Sequence, residues 1–161
     1  MGMPIFEPYK SEQPMKTLAV DGWILRSFPL PHDGVENRGV YITCPDGHRI
    51  LYCTDMEYIP YSFKNQCMNT LLIECNYTSV DDDESKTSHV LKGHASLDVA
   101  KGIVDANKTD ALRNVILCHL SESNADKDLI LKEIRSLVDA DVNVVIANKG
   151  LQMPLTDWRD M

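Results

Sequence analysis

The sequence predicts a mixed α/β domain in which helices cover at least one face of a sheet. Three observations support this class. The first half of the chain contains short β-prone runs separated by turn signals, whereas the second half alternates helical periodicity with short apolar runs. The length of 161 residues suits one domain with a sizeable core. We therefore expect a mixed sheet with at least two helices.

The first strands are predicted between residues 18 and 54. Apolar residues alternate in part along 18–29, and Asp21-Gly22 interrupts that run with a turn signal. The β-prone runs 39–44 and 49–54 flank the dipeptide Asp46-Gly47. Since Asp-Gly between two such runs is a strong hairpin signal, these two runs should pair as antiparallel strands.

The second half is predicted to alternate strands and helices. Residues 70–75 are almost continuously apolar, which suits a strand buried on both faces. A helix should follow, because Ser96 can cap it and apolar residues recur at helical spacing from Leu97 to Val104. The remaining elements are a strand at 114–118, a helix at 126–138 and a strand at 142–147.

The two ends differ from the expected domain, which spans 18–151. Residues 1–17 contain three prolines and little periodicity, so they predict an extended arm, and 152–161 predict a C-terminal tail. No apolar run is long enough for a membrane span, and no secretory signal is recognisable. The five cysteines are scattered without a C-x-x-C pair, which favours reduced thiols and a cytoplasmic protein.

The net charge of −8 restricts the partners. An acidic protein repels the phosphate backbone, so binding to long nucleic acids is not expected. A small phosphorylated substrate is compatible with this charge, because a bound metal would supply the positive charge.

Four polar residues stand at predicted strand ends or in the loops beside them. His32 follows an early strand, Asp55 and His119 each close a strand, and His94 precedes the first helix. Strand ends hold such groups rigidly at one edge of a sheet. Imidazole and carboxylate together suit zinc, manganese or iron.

Each candidate also has a simpler interpretation. A lone loop histidine is most often a surface or hydrogen-bonded residue, and Asp55 would then simply cap the turn after its strand. His48, in a hairpin turn, and His89, in a polar loop, are expected to be residues of that ordinary kind. Spacing alone leaves both interpretations open.

Five short motifs that contain the four candidates occur in order along the chain. They are SFPLPHD (27–33), RILYCTD (49–55), LLIECNY (71–77), GHASL (93–97) and ILCHLS (116–121). This series resembles the C-terminal half of metallo-β-lactamase-fold metal-dependent hydrolases, in particular a bacterial and phage group related to the endonuclease RNase Z. The resemblance implies part of an αββα sandwich.

The resemblance also implies a metal site, with zinc or manganese as the metal. His32 and His119 resemble metal ligands, and Asp55 resembles the carboxylate that bridges two metals. His94 resembles the catalytic histidine that assists the leaving group in the phosphodiesterase branches. Asp33 would orient His32 by accepting a hydrogen bond from the ring nitrogen that does not contact the metal. In that family the metals lower the pKa of a bound water, which attacks phosphorus or a carbonyl carbon.

The family's main signature, H-x-H-x-D-H, is absent from the chain. None of the 31 residues before His32 is a histidine. Three or four ligands of a two-metal site are therefore missing, and even one catalytic zinc needs about three protein ligands.

Three interpretations follow from this departure. A partner polypeptide supplies the H-x-H-x-D-H segment of a phosphodiester hydrolase; or the chain is a catalytically inactive binding or scaffold protein; or a homo-oligomer shares a reduced site. The presence of all four candidates favours the first. A half-sandwich should leave an apolar sheet face uncovered, which predicts a partner chain or an oligomer.

Overall fold

The structure, a computed structural model, describes residues 17–78 and 93–155. The predicted arm (1–17) lies outside these residues apart from Thr17, as do His89 and the last part of the predicted tail (152–161). The elements are β1 (Thr17–Val20), β2 (Trp23–Leu30), β3 (Asn37–Thr43), β4 (Arg49–Cys53), a 3-10 turn (Lys64–Gln66), β5 (Thr70–Glu74), α1 (Leu97–Asn107), β6 (Asn114–Cys118), α2 (Lys127–Arg135) and β7 (Asn143–Ile146).

Within the described ranges, the strands form one mixed sheet in the sequential order β1 to β7. The first four strands are antiparallel to one another, whereas β4 to β7 are parallel. The predicted hairpin is confirmed, since Gly47 has a φ of 88° and the backbone N–H of Cys44 donates to the carbonyl of His48. His48 is hydrogen-bonded as expected, with its Nε2 2.9 Å from Thr70 Oγ1.

Both helices pack on one face of the sheet. The helix α1 connects β5 to β6, and α2 connects β6 to β7 in the same direction across the sheet. Because such parallel crossovers are right-handed, both helices lie on the same face. The core lies between the helices and this face, and contains Leu51, Leu71 and Leu117 from the strands with Val104 and Ile130 from the helices. Ser96 caps α1 through a 3.2 Å bond from the Val99 N–H, as predicted.

The second helix is shorter than predicted. It ends at Arg135 rather than at Val138, because the Leu137 N–H bonds the carbonyl of Ile134 and tightens the last turn. Leu137 and Val138 nevertheless pack against the core. No helix among the described residues is long and apolar enough to cross a membrane.

The sheet face opposite the helices carries a continuous apolar row. Its members are register partners across β3 to β7, namely Val40, Tyr52, Leu72, Ile116 and Val145. Val40 and Ile116 are buried, whereas Leu72 and Val145 are only part-buried and Tyr52 is 36% exposed. No helix of the described ranges covers this helix-free face, and part of its apolar row is open to solvent.

Gly39 permits close packing at one point of the core. A Cβ atom there would lie 2.5 Å from Phe28 Cζ and 2.9 Å from Cys53 Sγ. Since Phe28 and Cys53 are buried, Gly39→Ala should lower the free energy of unfolding by about 1–3 kcal/mol. Urea unfolding provides the measurement.

Gly102→Ala is the matched control, because nothing lies within 4 Å of an added Cβ in the middle of α1. It should raise the free energy of unfolding by about 0.5–1 kcal/mol. Equal midpoints for the two variants would contradict this packing.

Candidate metal centre

The predicted site residues meet at one edge of the sheet. The parallel strands β4, β5 and β6 all end there. Asp55 lies just beyond the end of β4 and His119 just beyond the end of β6, on either side of the end of β5. His32 follows β2, whose C-terminal end lies at the same edge, and His94 lies three residues before α1.

Three of these side chains form a compact cluster. One possible ligand atom each from Asp55, His94 and His119 lies within 4.8 Å of those of the other two. His119 Nδ1 is 3.3 Å from Asp55 Oδ1. The side chains of His119 and Asp55 are 42% and 46% exposed, so this cluster is open to solvent.

His32 lies beside the cluster rather than within it. Its ring centroid is 5.2 Å from that of His94, whose centroid is in turn 5.1 Å from that of His119. The three imidazoles therefore form a row along the sheet edge. The structure brings together all four residues that the sequence singled out, with His94 in the middle.

Buried Glu74 hydrogen-bonds two of the three imidazoles, those of His94 and His119. This carboxylate, 0% exposed at the end of β5, has its Oε1 2.7 Å from His94 Nδ1 and 3.0 Å from His119 Nδ1. Its Oε2 accepts the backbone N–H of Met56 at 2.8 Å. A carboxylate oxygen accepts, so each Nδ1 donates to it, and in a neutral ring the lone pair then lies on Nε2.

His32 is fixed in the same tautomer by a different group. Its Nδ1 lies 2.8 Å from the carbonyl oxygen of Gly93, so the ring donates there and its Nε2 is free. Gly93 has a φ of 93°, and a Cβ would lie 2.8 Å from His32 Nδ1, so only glycine fits. The structure thus gives this role to Gly93, whereas exposed Asp33 donates its backbone N–H to Glu57.

Two asparagines hold the backbone where Asp55 and His119 adopt left-handed conformations, with φ of 51° and 56°. Asn37 donates from its side chain to the carbonyls of Thr54 and Asp55. Asn76 donates to the carbonyl of His119 at 2.8 Å. Such conformations are unfavourable for residues other than glycine, so long-range bonds must maintain them.

Comparison with known proteins supports the fold. No family model matches the chain, and no curated protein matches it. Among solved structures it is similar to one described as a new diphosphatase from the PhnP family, with a TM-score of 0.56 and 16% identity. The match covers 84% of this chain and 44% of that one, so this chain spans less than half of its neighbour's length.

The fold is of the metallo-β-lactamase type. At 16% identity this likeness concerns the fold alone. The predicted fold class is thereby confirmed for a mixed sheet with two helices, although the described residues contain only one sheet and its helical layer. The described residues do not include the second sheet or the outer helices of an αββα sandwich.

The donor set of this site fits a transition metal. Two imidazoles and a carboxylate favour zinc, manganese or iron over magnesium or calcium, which prefer oxygen ligands alone. Imidazoles tethered through Nδ1 to a carboxylate or carbonyl are the usual arrangement behind a metal. Asp55, His94 and His119 would hold the ion, with His32 one ring further along.

Within the described residues, no cysteine belongs to the ligand cluster. Burial raises the pKa of Cys75 to about 12 and that of Cys118 to about 11, so both are neutral thiols at pH 7. A neutral thiol is a poor ligand and a poor nucleophile. All five cysteines are free thiols.

The prediction from sequence missed Glu74, although it lies within one of the motifs. One signal was available, because Glu74 is a charged residue that ends an otherwise apolar strand. A carboxylate buried at such a position needs specific partners. The two asparagines carry no comparable signal, since their partners are distant in sequence.

Proposed function

We propose that this chain is one part of a metal-dependent phosphodiester hydrolase and that a polypeptide carrying H-x-H-x-D-H completes its metal site. The row His32, His94 and His119, with its tautomers fixed by Glu74 and Gly93, carries the proposal. Histidines with purely structural roles need no such row beside an exposed carboxylate, Asp55, whose Oδ1 lies 3.3 Å from His119 Nδ1. Divalent ions bound there would supply Lewis acidity to a phosphoryl group.

His94 is the proposed general acid for the leaving oxygen. Its Nδ1–H is bonded to buried Glu74, so the ring is oriented, as in other histidine–carboxylate pairs. The His94 side chain is 22% exposed, which allows its Nε2 to reach a substrate. Asp55 and His119 serve as ligands, and His32 is a ligand of the completed site.

The proposed substrate is a small phosphodiester or diphosphate compound rather than a long nucleic acid. The structural neighbour is described as a diphosphatase, which supports phosphorus chemistry over a β-lactam or thioester. The net charge of −8 opposes binding to extended polyanions. The metal would be zinc or manganese.

The helix-free face is the proposed contact surface for the completing segment. Its apolar row, exposed in part at Tyr52, Leu72 and Val145, would pack against the second sheet of the sandwich. Aligned sheets pack about 10 Å apart through such interdigitating apolar rows. We also place the assembled protein in the cytoplasm, where free thiols persist.

A catalytically inactive binding or scaffold protein is the second candidate function. The observation that favours it is the ligand count. Three clustered donors and His32 are fewer than two metals require, and H-x-H-x-D-H does not occur in the chain.

Complementation separates the two candidates. The coding sequence upstream of this chain is searched for H-x-H-x-D-H, and that segment is produced with the chain, either fused or as a separate polypeptide. With Mn²⁺ or Zn²⁺ present, the assembly should hydrolyse bis-p-nitrophenyl phosphate, whereas each part alone should not.

Size-exclusion chromatography should show both parts in one complex. His119→Ala serves as the inactive control and His48→Ala as the neutral one, because His48 bonds Thr70 at the opposite end of the sheet. A stable complex that lacks hydrolysis with either metal favours the scaffold function instead.

A further inference from the structure

The ligand cluster of this chain differs from the one that the proposed hydrolase would use. In the completed enzyme His32 is a ligand and His94 is the acid. In the structure, however, His94 and not His32 joins Asp55 and His119 within 4.8 Å. The middle imidazole of the row is thus positioned for a second role.

We propose that the chain by itself binds one divalent transition-metal ion through Asp55, His94 and His119. Metal–ligand bonds to nitrogen and oxygen are about 2.0–2.2 Å, so three ligands spread evenly around one ion lie about 3.5–3.8 Å apart. The three donor atoms lie within 4.8 Å of one another, so each needs to move towards the ion by about 0.6 Å or less.

The protonation pattern favours the same three donors. Glu74 Oε1 accepts from the Nδ1 of both His94 and His119, so the two rings are held as a pair by a single buried atom. In the neutral rings the lone pair then lies on Nε2. Asp55 Oδ1, 3.3 Å from His119 Nδ1, adds the negative charge. His32 is tied separately to Gly93 and is not part of this pair.

Two histidines and one carboxylate form a set that binds Zn²⁺, Mn²⁺ or Fe²⁺ and leaves coordination positions open. The open side faces solvent, since His119 and Asp55 are each more than 40% exposed. The ion therefore has an entry path in the described part of the chain. A hard cation such as Mg²⁺ should not be held, because two of the three donors are nitrogen.

This site has a consequence that rests on the proposed function. A histidine whose Nε2 ligates an ion cannot give a proton from the same atom, so the ion would block the acid while the chain is alone. Ligands from an H-x-H-x-D-H segment would draw the metal away from His94, and His94 would then be free to act as the acid. The chain would then become competent only on assembly.

Isothermal titration of the metal-free full chain with Zn²⁺ tests the site. We expect one Zn²⁺ ion per chain and no binding of Mg²⁺. The Zn²⁺ affinity of His94→Ala should fall by more than about 100-fold, which exceeds the loss seen when a residue that only hydrogen-bonds a metal ligand is removed. His32→Ala is the matched control and should change the affinity by less than about threefold. Circular dichroism of each metal-free variant checks that it is folded.

Ring ¹⁵N resonances of the unaltered chain provide a readout that needs no variant. Zn²⁺ should shift the Nε2 signals of His94 and His119 and leave that of His32 in place. Absence of zinc binding, or a shift and an affinity loss at His32 instead of His94, would overturn the inference. These results are independent of the proposed hydrolase, which is judged by phosphodiester hydrolysis of the assembled protein.

Discussion

Glu74→Gln is expected to weaken zinc binding by about 10–100-fold, the usual cost of losing the group behind a metal ligand. The carboxylate accepts three N–H groups, from His94, His119 and Met56. An amide has one accepting oxygen and one donating nitrogen, so in either orientation its NH₂ group faces a donor. If both rings keep their Nδ1 protons, a buried donor is left unpaired at a cost of about 1–3 kcal/mol in the free energy of unfolding. A ring that instead accepts the amide N–H at Nδ1 carries its proton on Nε2 and no longer offers that atom to zinc.

Glu57→Gln is the control for this variant. Glu57 accepts a single N–H, from Asp33 at 2.8 Å, and an amide oxygen can replace that acceptor. Zinc affinity and the ring ¹⁵N tautomer pattern should therefore change in Glu74→Gln and stay constant in Glu57→Gln. If Glu74→Gln only destabilises the fold and both imidazoles keep their Nδ1 protons, Glu74 does not act as a positioning residue.

His94→Ala is expected to lower kcat of the assembled enzyme by about 10²–10⁴-fold with a dinucleotide substrate, the range found for loss of a general acid. The departing alkoxide of such a diester needs a proton. The p-nitrophenolate ion leaves without one, so hydrolysis of bis-p-nitrophenyl phosphate should be much less affected. The ratio of the two rates is the measurement.

This comparison separates an acid from a ligand. A residue that holds the metal affects both substrates alike, and His119→Ala should show that pattern because its Nε2 is a proposed ligand. Equal losses with both substrates in His94→Ala would show that His94 remains a ligand after assembly. A full metal content in the assembled His94→Ala enzyme is the accompanying control.

The order of the elements could be predicted because it depends on short stretches of chain. Partial alternation along β2, the Asp46-Gly47 turn and the Ser96 cap are properties of a few neighbouring residues, and the structure has each of them. The end of α2 was predicted less well, because Leu137 and Val138 continue the apolar pattern without continuing the helix.

The site residues could also be named in advance, since His32, Asp55, His94 and His119 all flank strands or a helix. Their roles stay predictions, and Asp33 is not the partner that Nδ1 of His32 has in the structure. What the sequence could not show is the spacing among them. The register that sets Glu74 beside Cys118 also sets it beside His119, 45 residues further along.

The sequence by itself determined the mixed α/β class, the hairpin, the capped first helix and the four candidates at strand ends. These rest on local periodicity and turn chemistry, which act over a few residues. Only the tertiary structure decided that His94 lies between His32 and His119, that buried Glu74 bonds two of the imidazoles, and that both helices of the described ranges lie on the same sheet face. Those features arise from contacts between residues far apart in the chain, and they depend on strand register, which local patterns do not encode.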